Sequence, residues 1–157
     1  MNLMIIGDPH AHPDYDNSRF EKLGKFIAKV KPDAIICMGD FADMPSLSSF
    51  DRGTKGFEGR RYKKDIDAAL DAQDRLLHPL KRMKGLKRYM VLGNHEDRIS
   101  RATNSSPELD GTIGIKDLQY KENGWKVTPF KRALKLKNIM FSHYFSSGIM
   151  GRPISSV

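Results

Sequence analysis

The chain has 157 residues, 27 of them Lys or Arg and 19 Asp or Glu, for a net charge of +8, and 39% are hydrophobic. That length suits one domain, and the hydrophobic share excludes an intrinsically disordered or collagen-like chain. No apolar run approaches the roughly 20 residues a membrane span needs. The start, Met1-Asn2-Leu3-Met4, lacks the charged flank and cleavage site of a signal peptide. A single Cys37 excludes a disulfide framework and fits a reducing compartment. The expectation is a cytoplasmic protein without a membrane partner, whose basic excess invites anionic ones.

Residues 2–7 form a short apolar run closed by Gly7-Asp8-Pro9, which reads as a buried strand. Ser18-Arg19-Phe20-Glu21 has the form of a capping box, and Phe20, Leu23, Ile27 and Val30 follow at helical spacing until Lys31-Pro32. Residues 34–38 are a second apolar run, closed by Gly39-Asp40. Strand, helix and strand predict a βαβ unit with parallel neighbouring strands and a right-handed crossover. Residues 41–59, rich in Ser, Gly and Asp, read as a loop. From Arg60 the pattern is helical again, with Tyr62, Ile66, Ala69, Leu70, Leu76 and Leu77 on one face up to Pro79. Residues 87–92 predict a third strand ending in Gly93-Asn94-His95-Glu96, with a short helix from Asp97. Residues 105–123 carry little pattern. Residues 125–130, 133–136 and 139–143 predict further strands, the last two joined as a hairpin at Lys137-Asn138.

Four of the predicted strands end in metal-competent side chains: Asp8 with His10, Asp40, Asn94 with His95, and His143. Carboxylate, imidazole and amide together suit Mn²⁺, Fe²⁺ or Zn²⁺ rather than a soft thiolate-bound metal. In open α/β sheets the functional crevice lies at the carboxyl ends of the strands, where all four groups fall.

Asp8-Pro9-His10, Gly39-Asp40, Gly93-Asn94-His95-Glu96 and His143 resemble, in order and spacing, the motifs of the calcineurin-like metallophosphoesterases, in a context similar to their small phage and bacterial members. The resemblance implies a four-layer αββα sandwich, two mixed sheets covered by helices, and metal-dependent hydrolysis of a phosphoester. It implies two divalent ions, Mn²⁺ first, with Fe or Zn as alternatives. Asp8 and His10 would hold one ion, Asn94 and His143 the other, and Asp40 would bridge them. A metal-activated hydroxide would attack phosphorus, with His95 as phosphate contact or general acid and Glu96 orienting it. The family's terminal Gly-His-x-His does not follow His143. The sequence therefore predicts an incomplete second sheet, with residues 148–157 leading into an absent helix and strand, as in a fragment, a chain truncated by an interrupted gene, or half of a split enzyme whose second chain supplies the missing segment. A truncated, non-catalytic metal- or nucleic-acid-binding domain is the rival reading.

The cations divide by position. Residues 81–88 hold the densest basic run but precede the third strand, at the pole opposite the metal-competent groups. Arg98 and Arg101 follow Gly-Asn-His-Glu, and Arg60 and Arg61 follow the loop leaving the second strand, so these four are candidates to hold phosphates. His12 reads as a rim residue near substrate and His78 as structural. The charge is compatible with a nucleic acid or nucleotide as substrate, and a phosphoprotein or small phosphomonoester stays open beside them.

Overall fold

Three helices return the chain to the same end of the molecule before each new strand, so the strands they separate run parallel. In the computed structural model, which describes residues 1–147 and 152–153, these strands are β1 (Leu3–Ile6), β2 (Ala34–Cys37), β3 (Lys87–Val91) and β4 (Lys126–Thr128). They lie in the order β1-β2-β3-β4, joined by α1 (Ser18–Val30), α2 (Tyr62–Leu77) and α3 (Asp97–Ser105). The larger sheet is thus parallel throughout rather than mixed. β2, inside the sheet, is buried along its whole length, which explains its unbroken apolar run.

Alternate residues of the strands serve two cores. Ile35, Cys37, Met90 and Leu92 join Phe20 and Ile27 of α1 and Ile66, Ala69, Ala72 and Leu76 of α2. Ala34, Ile36, Tyr89 and Val91 pack instead on Phe141, Leu134 and Leu136. Those last three belong to an antiparallel hairpin, β5 (Leu134–Leu136) and β6 (Ile139–Phe141), turned at Lys137 with φ 52°. Helix layer, parallel sheet and small antiparallel sheet make up the α/β sandwich. Ile139 and Met140 stay about half exposed on the hairpin. Of the tail at 148–157, Arg152–Pro153 is described, as β8 paired with β7 (Ser146–Ser147); the helix and strand expected to follow lie outside the described residues.

Two local expectations change. The capping box at Ser18 does not form: the Ser18 N–H donates to Asp16 Oδ1 at 2.9 Å, and Glu21 pairs with Lys25 at 2.6 Å. Asn17, in the cap position, sends its amide to Ala68 O and Asp71 of α2, tying the helices together. Residues 105–123 are built from 3-10 turns at Pro107–Leu109 and Ile115–Leu118, yet Leu118 and Tyr120 are buried. The basic run at 81–88 leads into the amino end of β3, opposite the carboxyl ends, and the exposed His78 ring lies 3.3 Å from Lys81 Nζ. Among the described residues no helix is long and apolar enough to cross a membrane.

α1 approaches α2 closely because Gly24 has no side chain; a Cβ there would fall on the Leu76 carbonyl oxygen and lie 3.1 Å from Pro79. Gly24→Ala should therefore destabilise the fold by about 1–3 kcal/mol in urea denaturation. Gly56→Ala, where the nearest atom is 3.7 Å away, should leave the midpoint nearly unchanged.

Candidate metal centre

Beyond the sheet, the chain segments after β1 and β2 continue side by side. Met38 N–H donates to Ile6 O at 2.9 Å, His10 N–H to Asp40 O at 3.0 Å, and Asp43 N–H to Ala11 O at 3.0 Å. This pairing sets Asp8 and His10 against Asp40. His10 (φ 48°) and Asp40 (φ 49°) both occupy the left-handed region, which non-glycine residues hold only when their surroundings fix them. Part of that fixing comes from Arg19 of α1, whose Nη2 donates to Pro9 O at 2.8 Å and His10 O at 2.6 Å. The turn after β3 presses directly on the turn after β2. A Cβ on Gly39 would lie 2.7 Å from Gly93 N and 2.8 Å from His143 Nδ1, and one on Gly93 would strike Asp40.

Glu96 locks these turns together. Its carboxylate is fully buried and takes four donors: Asp40 N–H (3.0 Å) and Gly93 N–H (2.9 Å) on Oε2, Ala42 N–H (3.0 Å) and Tyr120 O–H (3.0 Å) on Oε1. Burial pushes its pKa up, against the pull of the Ala42 and Gly93 bonds. It makes no hydrogen bond to His95 among the described residues, so the direct orienting contact expected of it is absent.

Asp40 stands at the middle of the remaining groups. Its Oδ1 accepts the His95 N–H at 2.9 Å, and its Oδ2 lies 3.5 Å from His143 Nε2 and 3.7 Å from His95 Nε2. Ligand atoms of Asp8, His10 and Asp40 lie within 4.8 Å of one another. On the other side, His143 Nδ1 is 2.8 Å from Met38 O, which can only accept, so this nitrogen carries the hydrogen. Nε2 then faces Asn94 Oδ1 at 2.9 Å and Asp40 Oδ2 at 3.5 Å. Three electron-rich atoms converging without a donor between them are reconciled by a cation or a proton, and a carbonyl fixing the far nitrogen is the usual support of a metal-bound histidine. The mixed oxygen and nitrogen donors gathered at Asp40 fit a divalent ion.

His95 is oriented by Asp43, a residue that no motif marked. Nδ1 donates to Asp43 O (2.8 Å) and Oδ1 (2.9 Å), while Nε2 accepts from Arg98 Nη2 at 3.1 Å. Burial opposes the imidazolium, but the Asp43 bond and the Asp40 charge outweigh it and raise the His95 pKa, with Arg98 opposing. Burial likewise presses on Asp43, yet His95 holds its carboxyl below the ordinary value. Arg98 is anchored by Nη1 on Asp43 O (2.9 Å) and Met44 O (3.3 Å).

The other candidates are spread more widely. Arg101 stands on the outer part of α3, with Nη2 on Asn94 O at 3.3 Å. Arg60 is held by Asp51 at 2.6 Å and Pro45 O, and Arg61 bonds the Arg60 carbonyl, so neither joins the cluster. His12 accepts the Asp14 N–H at 3.1 Å and lines a separate groove with Tyr15 and α2.

A second acid outside the motifs, Asp65, is 1% exposed on α2 and takes Ser46 N–H (2.9 Å) and Oγ–H (2.6 Å) on Oδ2. It caps the 3-10 turn Pro45–Leu47 directly after the Asp43–Met44 segment that holds His95 and Arg98. Its signal in the sequence is an acid on an apolar stripe, three residues after Tyr62. Asp43 has only its closeness to Asp40, and Tyr120 has no signal.

The chain belongs to the calcineurin-like phosphoesterase family, whose model matches residues 1–154. Over 96 residues it is 28% identical to the "Gene 54 protein" of Mycobacterium phage L5, a stretch covering 61% of this chain and 36% of the phage protein. The chain thus spans about a third of that relative's length.

Two variants probe this framework. Glu96→Gln places an amide NH₂ against two N–H or O–H donors and should cost roughly 2–4 kcal/mol in chemical denaturation. Burial raises the Asp65 pKa above 3.8, more than the Ser46 bonds lower it. An acid whose folded pKa is raised stabilises most when protonated and loses that contribution as pH climbs through the folded pKa. Asp65→Asn keeps the acceptor without the charge, so its Tm should gain on wild type as pH rises from about 4 to 7, measured by thermal melts across that range.

Proposed function

We propose that the chain hydrolyses a phosphoester with two divalent cations, one held by Asp8, His10 and Asp40 and the other by Asp40, Asn94 and His143. The observation that carries this reading is the convergence of His143 Nε2, Asn94 Oδ1 and Asp40 Oδ2 beside the Asp8-His10-Asp40 group. Mn²⁺ suits the mixed oxygen and nitrogen set best, with Fe or Zn as alternatives. Bound there, such cations neutralise phosphoryl oxygens and acidify water for an in-line displacement.

The protein's own groups do the rest. One P–O ester bond breaks, one P–O bond to the water oxygen forms, and the leaving oxygen needs a proton. His95, gripped at Nδ1 by Asp43, delivers that proton from Nε2. In the imidazolium form Nε2 no longer accepts from Arg98, whose Nη2 is then free for a phosphate oxygen. Glu96 and Asp65 hold the turns that carry these groups and touch no reacting atom. The net charge of +8 favours a polyanionic substrate.

Hydrolysis of bis-p-nitrophenyl phosphate and p-nitrophenyl phosphate by the full chain should require added Mn²⁺ and stop with chelator. Asp40→Asn should abolish it, and His95→Ala should lower kcat by about 10²–10⁴-fold. Unchanged turnover in Asp40→Asn overturns the two-cation reading.

A further inference from the structure

The metal centre opens at Asn94 into a groove of about 600 Å³ whose floor is one face of α3, with Arg98, Arg101, Ala102 and Ser105 at successive helical turns. One wall is the segment after β2, with Phe50 and Arg52; the other is Phe130, Lys131 and Tyr144. Four cations line it, Arg52, Arg98, Arg101 and Lys131, against one acid, Asp97. Arg98 is tied to Asp43, but the Arg101 side chain is 59% exposed beside Asp97 at 3.5 Å, leaving most of its donors to solvent. Interleaved with these charges are aromatic rings. Phe50 is 88% exposed, and Phe130 meets Tyr144 edge-on at 5.5 Å with Lys131 Nζ 5.6 Å from its centroid.

An exposed phenylalanine at the mouth of a cationic groove has no packing reason to be there. Cations along a track with aromatic faces between them match a chain of phosphates carrying unpaired bases, because every base offers a ring face for stacking only when it is out of a duplex. We propose that this groove seats a single-stranded nucleic acid, its phosphates on Arg52, Arg101 and Lys131 and its bases on Phe50 and the Phe130–Tyr144 pair. The strand then enters the centre past Asn94, and the assignment of that strand as substrate rests on the phosphoesterase reading above. The basic run at 81–88 lies at the far pole and takes no part.

The test is equilibrium binding by the full chain in chelator, where no hydrolysis occurs, read by fluorescence anisotropy of a labelled single-stranded hexanucleotide, an abasic strand of the same length, and the hexanucleotide's duplex. The base-bearing single strand should bind at least tenfold tighter than either. Phe50→Ala, at an exposed ring, and Phe130→Ala, at a half-buried ring packed on the core, both checked by circular dichroism, should each weaken the hexanucleotide by about 5- to 100-fold, the effect expected of removing one base–ring stack. They should leave abasic binding within twofold. Arg101→Ala and Lys131→Ala should weaken both single strands alike and lessen the salt dependence by about 0.7 in log–log slope for each phosphate left without its cation. Equal affinity for abasic and base-bearing strands, preference for the duplex, or sensitivity to Lys81, Arg82 and Lys84 instead of these residues overturns the proposal. Stacking-dependent binding without any Mn²⁺-dependent hydrolysis leaves the groove standing and removes the phosphoesterase reading; hydrolysis without base preference does the reverse.

Discussion

A carboxylate shut away from water with four donors aimed at it is the constraint on which the rest depends. Glu96 faces inward from the turn after β3 and collects backbone N–H groups from the turn after β2, from its own turn, and a phenol from a distant stretch. Those N–H groups sit in tight turns where the sheet ladder has ended, and without the carboxylate they would be buried and unpaired. Asp40 is held through its own N–H, so the residue at the middle of the candidate metal centre is placed by its backbone before its side chain meets anything. The attraction of four donors offsets the cost of removing the charge from water, which few single partners could do.

Space is the second constraint, and it is met by absence of side chains. Gly39 and Gly93 lie at the contact between the two turns, and neither position has room for a methyl group. The left-handed φ of 102° at Gly39 adds a backbone requirement, but at Gly93 the requirement is volume alone. The glycines of Gly-Asp and Gly-Asn-His-Glu therefore let the two turns meet closely enough for Asp40 Oδ1 to accept the His95 N–H.

The strands and helices are legible in the sequence because each has a period and a stop: the apolar runs before Gly7, Gly39 and Gly93, and the stripe of Phe20, Leu23 and Ile27. The gathering of Asp8, His10, Asn94 and His143 around Asp40 is legible from motif order. Side-chain direction is not. Nothing in Gly-Asn-His-Glu says that Glu96 turns into the core while His95 turns out to Asp43, since that division depends on a contact 52 residues away in sequence. Residues 105–123 stay opaque because 3-10 turns leave no repeating pattern, and Tyr120 is placed by contacts with distant Glu96 and Phe41. The start of α1 looks like a capping box, yet Asn17 serves the neighbouring helix rather than its own, a tie that no local pattern announces.

The pairing of the segments after β1 and β2 has a consequence for how this fold tolerates change. Since Asp8 and His10 are set against Asp40 by a backbone ladder running from Ile6–Met38 to Ala11–Asp43, their spacing is fixed by counting residues and not by rotamers. One residue inserted or deleted inside that ladder shifts Asp8 and His10 out of step with Asp40. Past Asp65's hold on Ser46 no such ladder runs among the described residues, and the loop that carries Phe50 and Arg52 is tied across its span by Arg60 on Asp51 and Pro45 O. Changes of loop length can thus be absorbed a few residues from a segment where a single insertion separates Asp8 and His10 from Asp40.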